Sequence, residues 1–363
     1  MSSSSGINLP PEITEAILRL LPVKSLGRFK SVSKTWYSLI SDPQFIKTHL
    51  HKTRKLILVS DTKSLFSLDV NDLLPSLTSE DDISATGKEV KIPIMWEQIW
   101  GSSNGLVLAE DGNDTIFFIN PTTKEIWKVP PSPFALPVRE SFVMYGFGYD
   151  SSTDDYKIVS ISFWGTDNEH NPDCDDMFVT VYSLRNNSWR KLRNSPYDHS
   201  IGHVIRGVLV NQNIHWLAST RPDYASTIVA FSLAKEEFNV MGLPDSVENG
   251  KAVFNVLFAV VGKLGVFDTQ TGSLWLMGEY GVGESWTKVC MDGLEIDPFG
   301  HAFLVEGSGD RDIVLCDDDG VRVYDMDERR CRKVRIEGGP SGIEMGGAYF
   351  ESLESPSKCV TRI

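Results

Sequence analysis

Much is missing from this 363-residue chain, and each absence removes a class of function. No uncharged apolar run approaches the about eighteen residues that a membrane-crossing helix needs. The opening residues, MSSSSG, have no apolar core and read as a polar tail over 1–6, with no secretory leader. Cysteine is sparse. Cys174, Cys290, Cys316, Cys331 and Cys359 are odd in number and scattered, with no C-x-x-C pair, which fits a reducing cytoplasm or nucleus. The sequons at Asn113 and Asn186 would matter only in a secreted chain and are discounted.

Signatures of chemistry are equally scarce. There is no G-x-S-x-G elbow and no phosphate-binding P-loop. Gly281-Val282-Gly283 lacks the third glycine of a dinucleotide loop and opens no helix. His199 and His203 stand four apart, but the glutamate of H-E-x-x-H is absent and the region reads as β. The acid clusters Asp173, Asp175, Asp176 and Asp317, Asp318, Asp319 lack the spacing of a calcium loop, so solvated turns are expected. No catalytic residue, metal or cofactor is expected.

Charge is abundant but uneven. The net charge is −14, yet residues 1–54 hold eight Lys or Arg against three acids, leaving −19 for residues 55–363. An acidic body argues against general binding to nucleic acid or anionic membranes. The basic start suits either an acidic partner or a solvated helical face.

That start, residues 9–50, is the organising stretch. Pro10 and Pro11 suit the first turn of a helix, where no amide hydrogen is needed. Ile13, Ile17, Leu18 and Leu21 then form an apolar stripe at helical period, closed by Pro22. A second helix from Val23 carries Leu26, Phe29 and Val32. Ser33 caps a third with Trp36, Leu39 and Ile40, and Asp42-Pro43 opens a fourth with Phe45, Ile46 and Leu50. Four short helices without a cysteine bury little among themselves. Either an apolar face is left for a partner or the helices cap the remainder of the chain, and the pattern leaves both open.

The form LPVKSL…FKSVSKTW…LISDPQFI resembles a plant-type F-box. Leu9-Pro10, Glu12-Ile13, Ile17-Leu18, Leu21-Pro22, Lys24-Ser25-Leu26, Phe29-Lys30, Val32-Ser33-Lys34, Trp36, Leu39-Ile40, Pro43 and Phe45 carry the resemblance. Gly27 departs from it, standing where many members have a second apolar residue. The resemblance implies binding to the Skp-type adaptor of a cullin–RING ubiquitin ligase. The adaptor contact would fall on Leu9, Pro10, Pro11, Ile13, Ile17, Leu18, Leu21, Pro22, Leu26, Phe29, Val32 and Trp36.

Beyond residue 55 no helical period is sustained, and short apolar runs alternate with turns. Asn104-Gly105, Asp111-Gly112, Asn249-Gly250, Asp292-Gly293 and Asp319-Gly320 are tight-turn dipeptides. Segment 75–91 is polar and reads as an exposed loop, as does the acidic stretch 164–177. A degenerate hairpin recurs at 56–68, 117–129, 179–192, 228–241, 264–277 and 321–334. In each copy an apolar or aromatic residue follows seven positions after the turn begins: Phe66, Trp127, Trp189, Phe238, Trp275 and Cys331. Such a repeat suits a β-propeller of about six blades, or a pair of packed antiparallel sheets. Trp127, Trp189, Trp216, Trp275 and Trp286 are expected in the packing between sheets, with a ligand pocket as the alternative.

The body is similar to the F-box-associated domain of plant F-box proteins. The carriers are GSSNGLV (101–107), YGFGYDSSTDDYKIV (145–159), VYSLRNNSW (181–189), IVAFSLAKEEF (228–238), EYGVGESWTKV (279–289) and YFESL (349–353). That family usually has Asn-Gly before His-Trp-Leu, and NQNIHWL (211–217) lacks the glycine, so a different turn is possible there. The repeated double glycine of kelch blades is missing. The expected organisation is α+β and multidomain: an F-box over 7–52, a mainly antiparallel propeller-like domain over 53–352, and a tail over 353–363. The expected role is a non-catalytic substrate-recognition subunit of a ubiquitin ligase in the cytoplasm or nucleus. Its partners would be the adaptor, through it a cullin and a RING protein, and an unidentified target. A binding module that reads a glycan or small ligand without degradation is the alternative.

Overall fold

Proline and short polar side chains punctuate the N-terminal helices. Helix α1 (Pro11–Leu18) has proline at its first position, and α2 (Val23–Phe29) follows Pro22 directly. Ser33 Oγ accepts from Trp36 N at 3.1 Å to cap α3 (Lys34–Ile40). Asp42 Oδ1 accepts from Phe45 N at 3.0 Å to cap α4 (Pro43–Leu50). Inward they bury Leu18, Val23, Leu26, Ile40, Phe45 and Ile46, each worth roughly 1.5–3 kcal/mol. His49 stacks on Phe45 and bonds the Leu21 carbonyl through Nε2 at 2.8 Å, tying α4 to the end of α1.

The computed structural model describes residues 9–50, 54–60, 64–73, 83–94, 96–137, 140–164, 177–199, 206–220, 225–244, 255–260, 262–269, 271–291, 296, 303–306, 312–317, 319–340, 342–343 and 345–360. After the helices come six sheets, the blades of a propeller, antiparallel except for one added parallel strand in the last blade. Blade 2 illustrates the plan: Trp96–Ser103, Leu106–Asp111, Ile116–Asn120 and Glu125–Lys128 pair in chain order from the centre outward. Blade 3 repeats it with Ser141–Asp150, Asp155–Trp164, Phe178–Ser183 and Ser188–Lys191. Blade 1 is composite: its inner strand Met345–Phe350 comes from the end of the propeller sequence and pairs with Lys55–Ser60 from its start. This pairing closes the ring of blades. The inner strands of all six blades line a narrow central cavity of about 220 Å³.

Six core clusters alternate with the six blades, one at each junction. Leu56, Leu58, Ile99 and Val107 join blades 1 and 2; Leu106, Phe118, Phe147 and Tyr182 join blades 2 and 3. Ile57, Val59, Val314 and Val323 close the ring between blades 6 and 1. The tryptophans fall where packing between sheets places them. Trp216 and Trp286 are buried, and Trp127, Trp189 and Trp275 are partly buried against the same clusters.

All six hairpin copies land on hairpins, one per blade. In four, the seven-residue spacing joins direct cross-strand partners: Val59 with Phe66, Tyr182 with Trp189, Phe231 with Phe238, and Tyr324 with Cys331. Their phase within the blade differs. Counting from the centre, the copies form the third and fourth strands in blades 2, 3, 4 and 6 but the second and third in blades 1 and 5. Middle and outer hairpins share the same spacing, so the repeat alone cannot separate them.

Two expectations need correction. Within 75–91, Ile83–Thr86 is a strand, not an exposed loop. It pairs in parallel with Arg330–Glu337 and buries Ile83 and Ala85 in the junction of blades 6 and 1. Lys88–Glu89 also pairs, with Phe66 and Ser67. Nor is 353–360 a loose tail. Leu353, Pro356 and Cys359 are buried, and Pro356–Val360 forms helix α5. The turn at Asn211-Gln212 keeps a left-handed pair without glycine, at φ 49° and 60°. Asn249-Gly250, Asp292-Gly293, His203, Asp173, Asp175, Asp176, Asp318, Cys174 and residues 165–176 lie outside the described residues.

Candidate functional site

The helical module shows two kinds of apolar surface. Leu18 and Leu26 are fully buried and hold the module together. Ile13, Ile17 and Leu20 point outward, with Leu20 at 75 % exposure. These three recur at i, i+4 and i+7, the spacing of one helical face. Leu20 was not among the residues chosen from the sequence, although that spacing carries it. Leu9, Pro10, Pro11, Pro22 and Val32 are exposed as well. Leu21, Phe29 and Trp36 are half-buried, and Phe29 meets Trp36 edge-on at 5.4 Å between ring centres. Leu9, Pro11, Thr14, Trp36 and Leu39 line an open cleft of about 1040 Å³ between the start of α1 and α3. The residues expected to meet a partner therefore divide. Seven lie on the surface, three form a half-buried shelf, and Leu18 and Leu26 are buried in the core of the module.

The module is seated on the propeller by the C-terminal strap. Leu353 enters the same core as Leu18, Val23 and Leu26. Lys358 donates to Tyr37 Oη at 3.4 Å and lies over that ring. Glu351 faces Arg54 at 3.7 Å and Lys24 at 3.9 Å. On the propeller side, Asn120 Nδ2 donates to the Ser352 and Glu354 carbonyls at 3.0 and 2.7 Å, and Ser355 Oγ donates to Glu125 at 2.7 Å. A second seat lies on blade 3, where Lys47 of α4 donates to Asp154 at 2.8 Å. The strand Ser141–Asp150 ends beside that contact, and Trp96–Ser103 ends at Gly105, which abuts Ser352. The inner strands thus run toward the helical module and start on the opposite face.

That opposite face carries a cavity of about 570 Å³ between blades 2 and 3. Trp100, Glu110, Tyr145, Phe142 and Trp189 are among its walls. Burial pushes the Glu110 carboxyl up to about 7, with Asp114, Glu97 and Asp111 adding to the shift against the Trp100 hydrogen bond. Nothing in the local sequence marks Glu110; only the fold brings it to Trp100.

Of the spaced pair His199 and His203, only His199 is among the described residues, and it and His215 are held by hydrogen bonds within the fold. His199 is buried, held by Ser195 Oγ at 2.8 Å, and burial pushes it down to about 3. His215 bridges the Val208 carbonyl and Tyr280 Oη, each at 2.9 Å. Among the described residues, no group of three or more His, Cys, Asp or Glu side chains gathers as a metal site would.

Comparison with known proteins bears on both parts of the chain. The F-box domain family matches residues 7–48, and the F-box associated beta propeller domain family matches residues 54–355. The F-box protein CPR1 of Arabidopsis thaliana is 32% identical over 361 residues, covering 92% of this chain and 86% of that protein. An F-box/kelch-repeat protein of the same plant is 30% identical over 302 residues, covering 78% and 79%. A further Arabidopsis thaliana F-box protein is 27% identical over 301 residues, covering 76% and 72%.

Proposed function

The chain belongs to the F-box proteins that carry an F-box-associated β-propeller, and from that premise we propose that it is the substrate-recognition subunit of a cullin–RING ubiquitin ligase. The observation that carries the proposal is the outward stripe Ile13, Ile17 and Leu20 on a module whose interior is already complete. An apolar stripe of this kind gains a few kcal/mol per side chain when a partner covers it. The Skp-type adaptor would take this face, with Leu9, Pro10, Pro11 and Pro22 beside it and the cullin and RING protein following through the adaptor. Exposed Lys24, Arg28 and Lys34 suit an acidic partner surface.

The mechanism is positioning. Fixing the adaptor at one end and a target on the propeller raises the effective concentration of target lysines near the charged ubiquitin carrier. No group of this chain takes part in bond making, and the outcome is ubiquitination and degradation of the target in the cytoplasm or nucleus. The acidic body disfavours nucleic acid as a partner.

The test is quantitative mass spectrometry of proteins co-purifying with the full-length chain and with an Ile13→Asp/Ile17→Asp variant. Deleting the module outright would strip Leu353 of its core, so point changes are the cleaner comparison. Adaptor and cullin should disappear in the variant while a target protein accumulates. Full-length protein that recovers neither adaptor nor cullin sinks the proposal.

A further inference from the structure

The cavity on the propeller face away from the F-box has features that the adaptor contact does not use. Its floor is aromatic and acidic. Trp100, itself buried, donates from Nε1 to Glu110 Oε2 at 2.9 Å and meets Tyr145 edge-on at 4.8 Å between ring centres. Trp189 forms a side wall, fixed by donating from Nε1 to the Pro130 carbonyl at 2.7 Å. Phe142 stands on the rim at 58 % exposure. The floor is thus held rigid by its own hydrogen bonds, while the rim offers an apolar surface to something outside.

Two polar atoms in the cavity remain open. Among the described residues, neither Glu110 Oε1 nor Tyr145 Oη has a hydrogen-bond partner. The charges around them are mostly of one sign. Asp114 lines the cavity with Glu110; Asp111 and Glu97 act on Glu110 from the end of its own strand and from the inner strand; Lys128 is the basic residue among the lining. Aromatic walls attract cations through their ring faces, and a carboxylate inside a low-dielectric cavity attracts them more strongly than one in water. A neutral apolar occupant would leave Glu110 Oε1 and Tyr145 Oη covered without partners, and an acidic occupant would meet like charge.

The position narrows the occupant further. From Tyr145 on the cavity wall to Asp150 beside the seat of α4, the strand Ser141–Asp150 runs five residues, about 17 Å. An occupant here is therefore clear of the adaptor side, on the face left open to a target. We propose that this cavity is a recognition site for a basic side chain, arginine or lysine, presented by an extended segment of the target protein. Its charge would lie between Glu110 and Tyr145, its aliphatic stem against Trp100 and Trp189, and a flanking apolar residue on Phe142. The proposal rests on the reading of this chain as a substrate receptor.

The test uses the full chain and fluorescein-labelled acetylated nonapeptides of glycine, serine and leucine that differ only at the central residue. Fluorescence anisotropy at pH 8 should show arginine or lysine binding at least about tenfold tighter than citrulline, the neutral counterpart of arginine, and tighter still than glutamate. Glu110→Gln, which keeps an acceptor for Trp100, should bring the preference over citrulline below about twofold, and Tyr145→Phe should weaken binding of the basic peptides with melting unchanged. Equal binding of the citrulline peptide, or an undiminished preference in Glu110→Gln, overturns the proposal. Agmatine, the same guanidinium without a flanking backbone, should bind at least about tenfold more weakly than the arginine peptide; equal binding would mark a small-cation site and overturn recognition of a protein segment. Peptide binding does not involve α1, so its failure is distinguishable from loss of adaptor binding.

Discussion

Lys47 in the last F-box helix donates to Asp154 at 2.8 Å, and Asp154 also accepts from Tyr149 Oη at 2.6 Å. Lys47 lies over the Tyr149 ring at 5.4 Å as well. One lysine therefore fixes the helical module against the turn between the first two strands of blade 3. Both charged side chains are more than a third exposed, so the pair is worth about 0.5–1 kcal/mol at most. A double-mutant cycle of Lys47→Ala and Asp154→Ala, read by denaturant unfolding, should return a coupling energy in that range. Zero coupling would leave the strap as the main attachment of the module.

The strap depends on Asn120. Its Nδ2 holds two strap carbonyls while Oδ1 accepts from the Thr122 and Thr123 amides at 2.9 and 3.1 Å. Asn120→Ala strands buried acceptors and should cost about 2–4 kcal/mol, visible as a lowered Tm. Asn120→Asp, which keeps the turn but loses the donor, should recover only part of this.

Gly105 carries two demands at once. Its φ is +83°, and an added Cβ would sit 2.1 Å from Ser352 Cβ. Gly105→Ala should destabilise by about 2–4 kcal/mol, because both the left-handed backbone and the contact with the strap resist a side chain. Gly27→Ala, with nothing within 4 Å of the new carbon, should stabilise the F-box by up to about 1 kcal/mol. Opposite shifts in Tm would separate a required glycine from a tolerated one.

Glu110 makes stability depend on pH. Its carboxyl titrates near 7 when folded, against an ordinary value of 4.5, so between these values the folded chain holds the extra proton. Its contribution is fully present below about 4.5 and is lost as pH rises through about 7. Glu110→Gln should therefore unfold later than the parent at pH 8, by about 1–2 kcal/mol after allowance for partial exposure. The two should converge near pH 5, a comparison that thermal melts across the range would check.

Local signals were legible in the sequence, and closures between distant segments were not. Ser33 and Asp42 cap the helices they announce, and Asn104-Gly105 turns where such a dipeptide should. The hairpin repeat revealed the six blades because cross-strand pairs such as Tyr182 and Trp189 recur at fixed spacing. Pairing of Met345–Phe350 with Lys55–Ser60 joins residues nearly 300 apart, and nothing local encodes it. Ile83–Thr86 is too short for its alternation to stand out from polar neighbours. Leu353 looks like a lone apolar residue among serines and glutamates until the F-box core closes over it. Leu20 is the reverse case: its spacing from Ile13 and Ile17 was available, but the nearby Leu18 and Leu21 offered a competing stripe.

The adaptor face tests the whole assignment. Calorimetric titration of a purified Skp-type adaptor into the full-length chain, compared with Ile17→Asp, Leu20→Asp and Leu18→Ala, separates surface from support. Ile17→Asp and Leu20→Asp should weaken binding by about a hundredfold with Tm unchanged. Leu18→Ala should instead lower stability by about 2–5 kcal/mol. Undiminished binding by both aspartate variants would contradict the docking of this chain through the outward side of its first helix and the turn that follows it.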